Sequence, residues 1–171
     1  PAKIYETDRR AEARAAFPAL VGRDVLLSVI RIDPVKNQGW LVEQMPALLQ
    51  RHPQALLVLA GACTDEAYGR SLDARIAALG LGHAVRLTGK LPPADPRLIG
   101  LMQTAHAALL PSISETFGLV ILEAWATGTP AISSRTSGAS ALIEEGKTGW
   151  LFDLGKPEAF HAAVDRVLTD R

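Results

Sequence analysis

The amino-acid sequence predicts a doubly wound α/β domain, a parallel sheet covered by helices on both faces. Two observations carry this. Short, continuously apolar runs recur almost to the end of the chain, as strands buried on both sides require. Between them lie longer amphipathic stretches, and strands alternating with helices imply crossover connections within a parallel sheet.

The elements follow in order. Residues 24–31 (DVLLSVIR) are short, β-branched and apolar, the pattern of a buried strand. Residues 37–50 carry Leu41, Met45, Leu48 and Leu49 at helical spacing. A strand over 55–60 ends at Gly61, and a helix over 65–79 stops at Gly80, a residue suited to a left-handed cap. Next come a strand over 85–88, a helix over 95–104 with Pro96 in its first turn, and a strand over 107–110 halted by Pro111. A helix over 118–127, a strand over 131–133, a short helix over 140–145, a strand over 149–152 and a closing helix over 157–169 complete the pattern. Residues 1–22 are helical and charged, an edge helix or a linker; residues 23–171 form the main domain. Pro1, in place of a methionine, suggests processing or a fragment.

Composition narrows the partners. Lys plus Arg and Asp plus Glu are equal at 18 each, and no basic stripe appears. That argues against nucleic acid and anionic membrane. No apolar run approaches membrane-spanning length, so no transmembrane segment is expected. Cys63 is the single cysteine of 171 residues. It permits no internal disulfide and suits a reducing compartment, the cytoplasm.

Ligands of such sheets sit at the carboxyl ends of the strands, where Arg31, Gly61, Gly89 and Ser112 fall. Arg31 and Lys36 flank a turn containing Asp33-Pro34. A planar donor fork and a point charge together suit a diphosphate; the plainer account is surface salt bridging. Residues 112–130 (SISETFGLVILEAWATGTP) hold two carboxylates, Glu115 and Glu123, on either side of a loop-to-helix junction. Amides of Phe117, Gly118 and Leu119 are expected to open the helix unpaired, forming an anion site that Gly118 leaves accessible. In the plainer account Ser112 or Ser114 caps the helix and Glu115 favours its dipole. That leaves unexplained an ionised Glu123 among Val, Leu and Ala, which burial disfavours unless something pairs with it. A wholly helical segment would separate the two carboxylates by roughly 12 Å, a span for gripping two parts of one extended, hydroxyl-rich ligand.

Thr88-Gly-Lys-Leu91 could face a flat base, and Thr136-Ser-Gly-Ala139 could be a second small-residue anion loop; both signals are weak. His52, His83, His106 and His161 lack zinc-site spacing, no Asp-x-Asp occurs, and no Gly-x-Gly-x-x-Gly follows a strand. No cofactor or metal is expected. Trp40, Trp125 and Trp150 read as packing residues, with Trp40 a possible docking mark for another domain.

These residues resemble a known family. Arg31…Lys36-Asn37, Ser114-Glu115-Thr-Phe-Gly-Leu-Val-Ile-Leu-Glu123-Ala and Gly128-Thr-Pro130 are similar to the C-terminal, donor-binding domain of retaining GT-B glycosyltransferases. The likeness is to family 4, group 1, over about residues 25–153, and the run from Arg31 looks closest to sucrose-phosphate-synthase-like members. The resemblance implies a Rossmann-like domain that is one half of a GT-B fold. It implies that Arg31 and Lys36 bind the diphosphate and stabilise its charge on departure, and that Glu115 meets donor-sugar hydroxyls. Thr116, Phe117, Gly118 and Leu119 would hold phosphate or sugar, Glu123 the ribose hydroxyls, and Lys90 and Leu91 the base.

It further implies a UDP- or GDP-sugar as ligand, weakly UDP-glucose, and hexose transfer with retained configuration, usually without a metal. The acceptor domain such enzymes carry N-terminally is missing from this chain, which alone should bind donor without catalysing transfer. Two departures stand out: Ile30 where the family usually has Gly, and Ser137-Gly-Ala-Ser-Ala141 where it has Gly-Gly-x-x-Glu. The alternatives are a non-catalytic nucleotide-binding module and, less well, a nicotinamide dehydrogenase half that lacks its glycine fingerprint.

Overall fold

The computed structural model describes residues 3–170; Pro1, Ala2 and Arg171, at the outer ends of the two expected segments, lie outside the described residues. The strands are β1 (Asp24–Val29), β2 (Ala55–Ala60), β3 (Val85–Gly89), β4 (Ala107–Leu110), β5 (Ala131–Ser134) and β6 (Gly149–Phe152). They form one six-stranded sheet in the order β3-β2-β1-β4-β5-β6, every pair parallel. The doubly wound sheet expected from the alternation is therefore present. The inner strands are mostly apolar because helices cover both of their faces; β2 is buried at every position.

The helices are α1 (Lys3–Glu6), α2 (Arg10–Ala16), α3 (Gln38–Arg51), α4 (Glu66–Ala78), α5 (Pro96–Thr104), α6 (Leu119–Ala126), α7 (Ser137–Leu142) and α8 (Glu158–Thr169). Leu26, Leu57, Leu109 and Ile132 point to one face, where Leu41, Met45, Leu72 and Phe160 of α3, α4 and α8 meet them. Val25, Leu27 and Val58 point to the other, against Leu98, Leu101 and Met102 of α5 and Ala13 of α2. Farther along that second face, Ala108, Leu110 and Ala131 pack on Ile121 and Ala124 of α6.

This division positions the site. The chain leaves β1 for α3 on the first face, but leaves the neighbouring β4 for α6 on the second. The two connections diverge and open a crevice at the carboxyl ends of β1 and β4, the topological switch point of the sheet.

Most ends agree with the sequence to within a residue or two. Asp65 accepts from the Tyr68 amide and Asp95 from the Arg97 amide, capping α4 and α5. Gly80, just beyond α4, takes the positive φ of +65°. The helix expected over 140–145 begins earlier, at Ser137, because the Thr136 hydroxyl accepts the Ala139 amide at 3.3 Å and starts it there. Ile143 then leaves the helix in an extended conformation and enters the core.

The charged N-terminal segment lies against this domain. Gly100 lets α2 pack directly on α5: a Cβ there would stand 2.0 Å from the Arg9 carbonyl oxygen. Gln103 fastens the approach to α2, its amide donating to the Tyr5 and Thr7 carbonyls while its oxygen accepts the Arg9 N–H. Trp40 stacks on Phe152 at 4.9 Å, meets Phe160 edge-on and donates to the Leu154 carbonyl, a packing residue as the sequence suggested.

Candidate nucleotide-sugar site

Loops from both sides of the switch point are stitched together. The Asn37 side-chain amide donates to the Pro111 carbonyl at 3.2 Å, and the Ile113 N–H donates to the Val35 carbonyl at 2.8 Å. Asn37 occupies the left-handed region with φ of 61°, a conformation asparagine tolerates better than most side chains. The turn before it is built by Asp33, at the first position of an Asp-Pro turn. Its carbonyl accepts the N–H groups of Lys36 and Asn37, and its Oδ1 accepts the Lys36 N–H at 3.0 Å.

Four charged groups gather here as two ion pairs. Lys36 Nζ donates to Glu115 Oε2 at 2.6 Å, the two side chains 14% and 21% exposed. Arg31 donates through Nε to Asp33 Oδ2, with the rest of its side chain in solvent. Burial raises the Glu115 carboxyl, but Lys36 and the Phe117 and Gly118 amides outweigh it and hold the group below the ordinary range. Burial raises Asp33 too, and Arg31 with the Lys36 amide brings it below its usual value. Both carboxylates are thus ionised in the resting site.

The helix entrance differs from expectation. The Phe117 and Gly118 amides are not left unpaired: they point to Glu115 Oε1 at 3.4 and 3.5 Å. A carboxylate already stands where the partial positive charge of the helix N-terminus draws an anion. Neither Ser112 nor Ser114 caps α6. Gly118 is the cap residue, with φ of 66°, and the Ser112 hydroxyl is buried without a partner among the described residues. A Cβ on Gly118 would face Ile121 and Leu142, so the glycine is set by its backbone conformation. Thr116, Phe117 and Leu119 are exposed along the lip, Phe117 at 73% and Leu119 at 65%.

Residues 136–139, expected as an anion loop, are the cap and first turn of α7, and they support Glu115. The Gly138 N–H and Ser137 hydroxyl both donate to the Glu115 carbonyl. A Cβ on Gly138 would stand 2.8 Å from the Thr116 carbonyl carbon.

Next to Arg31 lies a cleft of about 190 Å³, lined by Ile30, Arg31, Gly61, Lys90, Leu91 and Glu123 among others. Gly61 lets the chain beyond β2 lie close against that beyond β1, since a Cβ would lie 2.1 Å from the Ile30 carbonyl oxygen. A register shift between Leu59 and Ala60 pairs Ala60 with Gly89, which carries Lys90 and Leu91 over the end of β2. Glu123 is half-buried on the cleft wall and not sealed among apolar groups as its helix sequence suggested. Tyr5 stands close to it; burial first, and then the Glu123 charge, raises the tyrosine pKa.

The structure therefore brings Lys36 and Glu115 together, ties Arg31 to the Lys36 turn through Asp33, and gathers Lys90, Leu91 and Glu123 with Arg31 around a cleft. Because residues 115–118 are a loop before α6, the two glutamates serve these neighbouring compartments instead of standing along one helix. The sequence reading passed over Asp33, whose signal was the Asp-Pro turn itself. It also missed Tyr5, which no local pattern betrays because the contact depends on the N-terminal segment folding over α5. Among the described residues no group of three or more His, Cys, Asp or Glu could hold a metal, and no helix is long and apolar enough to cross a membrane.

Comparison with known proteins agrees with this geometry. The D-inositol 3-phosphate glycosyltransferase of Corynebacterium urealyticum is 33% identical over 96% of this chain, which spans 39% of that protein. Anabaena HepE, solved in complex with UDP-glucose, is 26% identical with a TM-score of 0.87, over 99% of this chain and 46% of that one. Sucrose-phosphate synthase from Thermosynechococcus elongatus is 30% identical with a TM-score of 0.77, over 96% and 42%. The chain thus spans less than half of each of these three proteins, consistent with a C-terminal GT-B domain. The pattern of glycosyl transferases group 1 covers residues 9–171, and the chain belongs to that family.

Proposed function

We propose that this chain is the donor half of a retaining hexosyltransferase and binds a UDP-sugar, UDP-glucose first among them, in the crevice at the switch point. The observation that carries this is the placing of Arg31. It lines the cleft of Lys90, Leu91 and Glu123 and is tied through Asp33 to the backbone of Lys36, whose ammonium pairs with Glu115, so a ligand reaching from the cleft toward that pair would pass its middle across the guanidinium. A nucleoside-diphosphate sugar is such a ligand. Its base would lie against Lys90 and Leu91, its ribose hydroxyls would donate to Glu123, and its diphosphate would meet Arg31, Lys36 and the backbone at 116–119. Glu115 would accept from sugar hydroxyls.

In the reaction, the bond from the anomeric carbon to the diphosphate oxygen breaks, and negative charge grows on the departing diphosphate. Arg31 and Lys36 would stabilise that charge electrostatically. Glu115, ionised in the resting site, would hold the sugar by its hydroxyls. Support comes from HepE, which carries UDP-glucose on the same fold.

Residues 23–171 would form the donor domain and 1–22 a linker or edge segment, of which the described residues pack along α5. The acceptor side would come from a further domain, and an inositol phosphate is the acceptor to try first, given the relatives so named. The lone Cys63 suits the cytoplasm as its compartment. Titration calorimetry with UDP, UDP-glucose, GDP-mannose and ADP tests the reading. UDP and UDP-glucose should bind most tightly, and no heat with any of the four, in a folded sample, would overturn it. The purified chain alone should transfer no sugar to an inositol phosphate.

A further inference from the structure

Arg31 carries five N–H donors in a rigid plane, and the structure uses only one of them. Its Nε–H donates to Asp33 Oδ2. The two terminal amino groups have no acceptor among the described residues, and the side chain is 59% exposed. Asp33 is the opposite kind of group, its side chain only 11% exposed. Its second oxygen is fixed by the Lys36 N–H at 3.0 Å, and its carbonyl by the amides of Lys36 and Asn37. One buried residue therefore fixes the guanidinium plane on one side and the backbone of Lys36 on the other.

We propose that Asp33 is the positioning residue of the phosphate site, holding Arg31 by Nε so that its terminal amino groups face the ligand end-on. This rests on the site binding a nucleoside diphosphate, as above. The guanidinium would otherwise swing on a long, solvated stem, and holding it in advance lowers the cost of ordering it on binding.

Two accounts of Asp33 predict opposite signs. If it acts only through charge, it repels a diphosphate, and Asp33→Asn should tighten UDP binding. If it positions Arg31, the same change should weaken binding, because the amide nitrogen that replaces Oδ2 is a donor and cannot accept the Arg31 Nε–H. Asparagine keeps the shape and the Oδ1 acceptor for the Lys36 amide.

The test is calorimetric titration of UDP, UMP and uridine into the chain and into its Asp33→Asn, Arg31→Ala and doubly substituted forms. Positioning predicts that Asp33→Asn weakens UDP about tenfold, the worth of one charge-assisted hydrogen bond. It should leave uridine unchanged, and should add nothing in the Arg31→Ala background. Unchanged or tighter UDP binding, an equal loss with uridine, or a full additional loss without Arg31 would each overturn the assignment. Failure of the unaltered chain to bind UDP would instead remove the nucleotide reading, and this proposal with it.

A second measurement needs neither a ligand nor the Asp33→Asn form. In the unaltered chain the Arg31 Nε–H proton, assigned by its disappearance in Arg31→Lys, should exchange with water more slowly than that of free arginine. Exchange at the free-arginine rate would mean that Asp33 does not hold the guanidinium, and the assignment would fall.

Discussion

Lys36 Nζ lies 2.6 Å from Glu115 Oε2, joining residues 79 apart in sequence across the line where the sheet changes its covering face. Both side chains are mostly buried, so removing either partner strands a charge. Lys36→Met and Glu115→Gln should each lower the unfolding free energy by about 1.5–3 kcal/mol, the range for a hydrogen bond to a charged group. The double variant should lose less than the sum, with a coupling of about 1 kcal/mol. Urea unfolding of the four proteins measures it, and strict additivity would show that the pair contributes nothing.

The same pair makes stability depend on pH. Lys36 and two amides hold Glu115 below its ordinary value near 4.5 against the opposing effect of burial, and Asp33 is depressed as well. A carboxyl depressed in the folded state contributes stability that is complete above its unfolded value. The contribution is lost as pH falls through the folded value. The urea midpoint should therefore hold steady from neutral pH down to about 5 and drop below the ordinary carboxyl values, about 4. Glu115→Gln should flatten the drop; an unchanged profile would remove Glu115 from its cause.

Arg31→Ala separates binding from folding. The side chain is mostly in solvent, so stability should change by no more than about 0.5 kcal/mol. UDP affinity should fall by about 1.5–3 kcal/mol, the worth of a charge-assisted phosphate contact. Equal affinity would make Arg31 an ordinary surface group.

Glu123→Gln probes the other compartment. With Glu123 on the cleft wall beside Lys90 and Leu91, the unaltered chain should prefer UDP to 2′-deoxy-UDP. The variant should discriminate between them less well. Undiminished preference would take the carboxylate out of ribose recognition.

Gly138→Ala tests how Glu115 is held. The added Cβ would collide with the backbone of Thr116, and a forced shift of this kind costs about 1–3 kcal/mol. Because Gly138 also donates to the Glu115 carbonyl, UDP-glucose affinity should fall along with thermal stability. A variant as stable and as tight-binding as the parent would mean that the loop yields freely.

Much of this was legible in the chain. Continuously apolar strands and helical spacing pointed to the sheet, and Asp65, Gly80 and Asp95 marked helix ends because capping is a local matter. Arg31, Lys36, Glu115 and Glu123 stood out because charged residues at strand ends and helix starts have few structural reasons to be there. What escaped were relationships set by tertiary contact. The Glu115 carboxylate fills the entrance of α6 while Ser137 and Gly138, in the first turn of α7, hold its backbone. Tyr5 reaches Glu123 only because Gln103 fastens the N-terminal segment beside it. The Thr136 cap moved α7 by three residues for a similar reason, a side-chain choice that periodicity does not register.

Each cation at the switch point is already matched by a carboxylate, Arg31 by Asp33 and Lys36 by Glu115. The cleft beside them adds one Lys and one Glu, and the whole chain carries no formal net charge. Such a surface casts little field beyond the reach of contact. An anionic ligand would be captured by trading partners at close range and not by steering from a distance. Its association rate should hence vary only shallowly with ionic strength, unlike that of a site with an open positive patch.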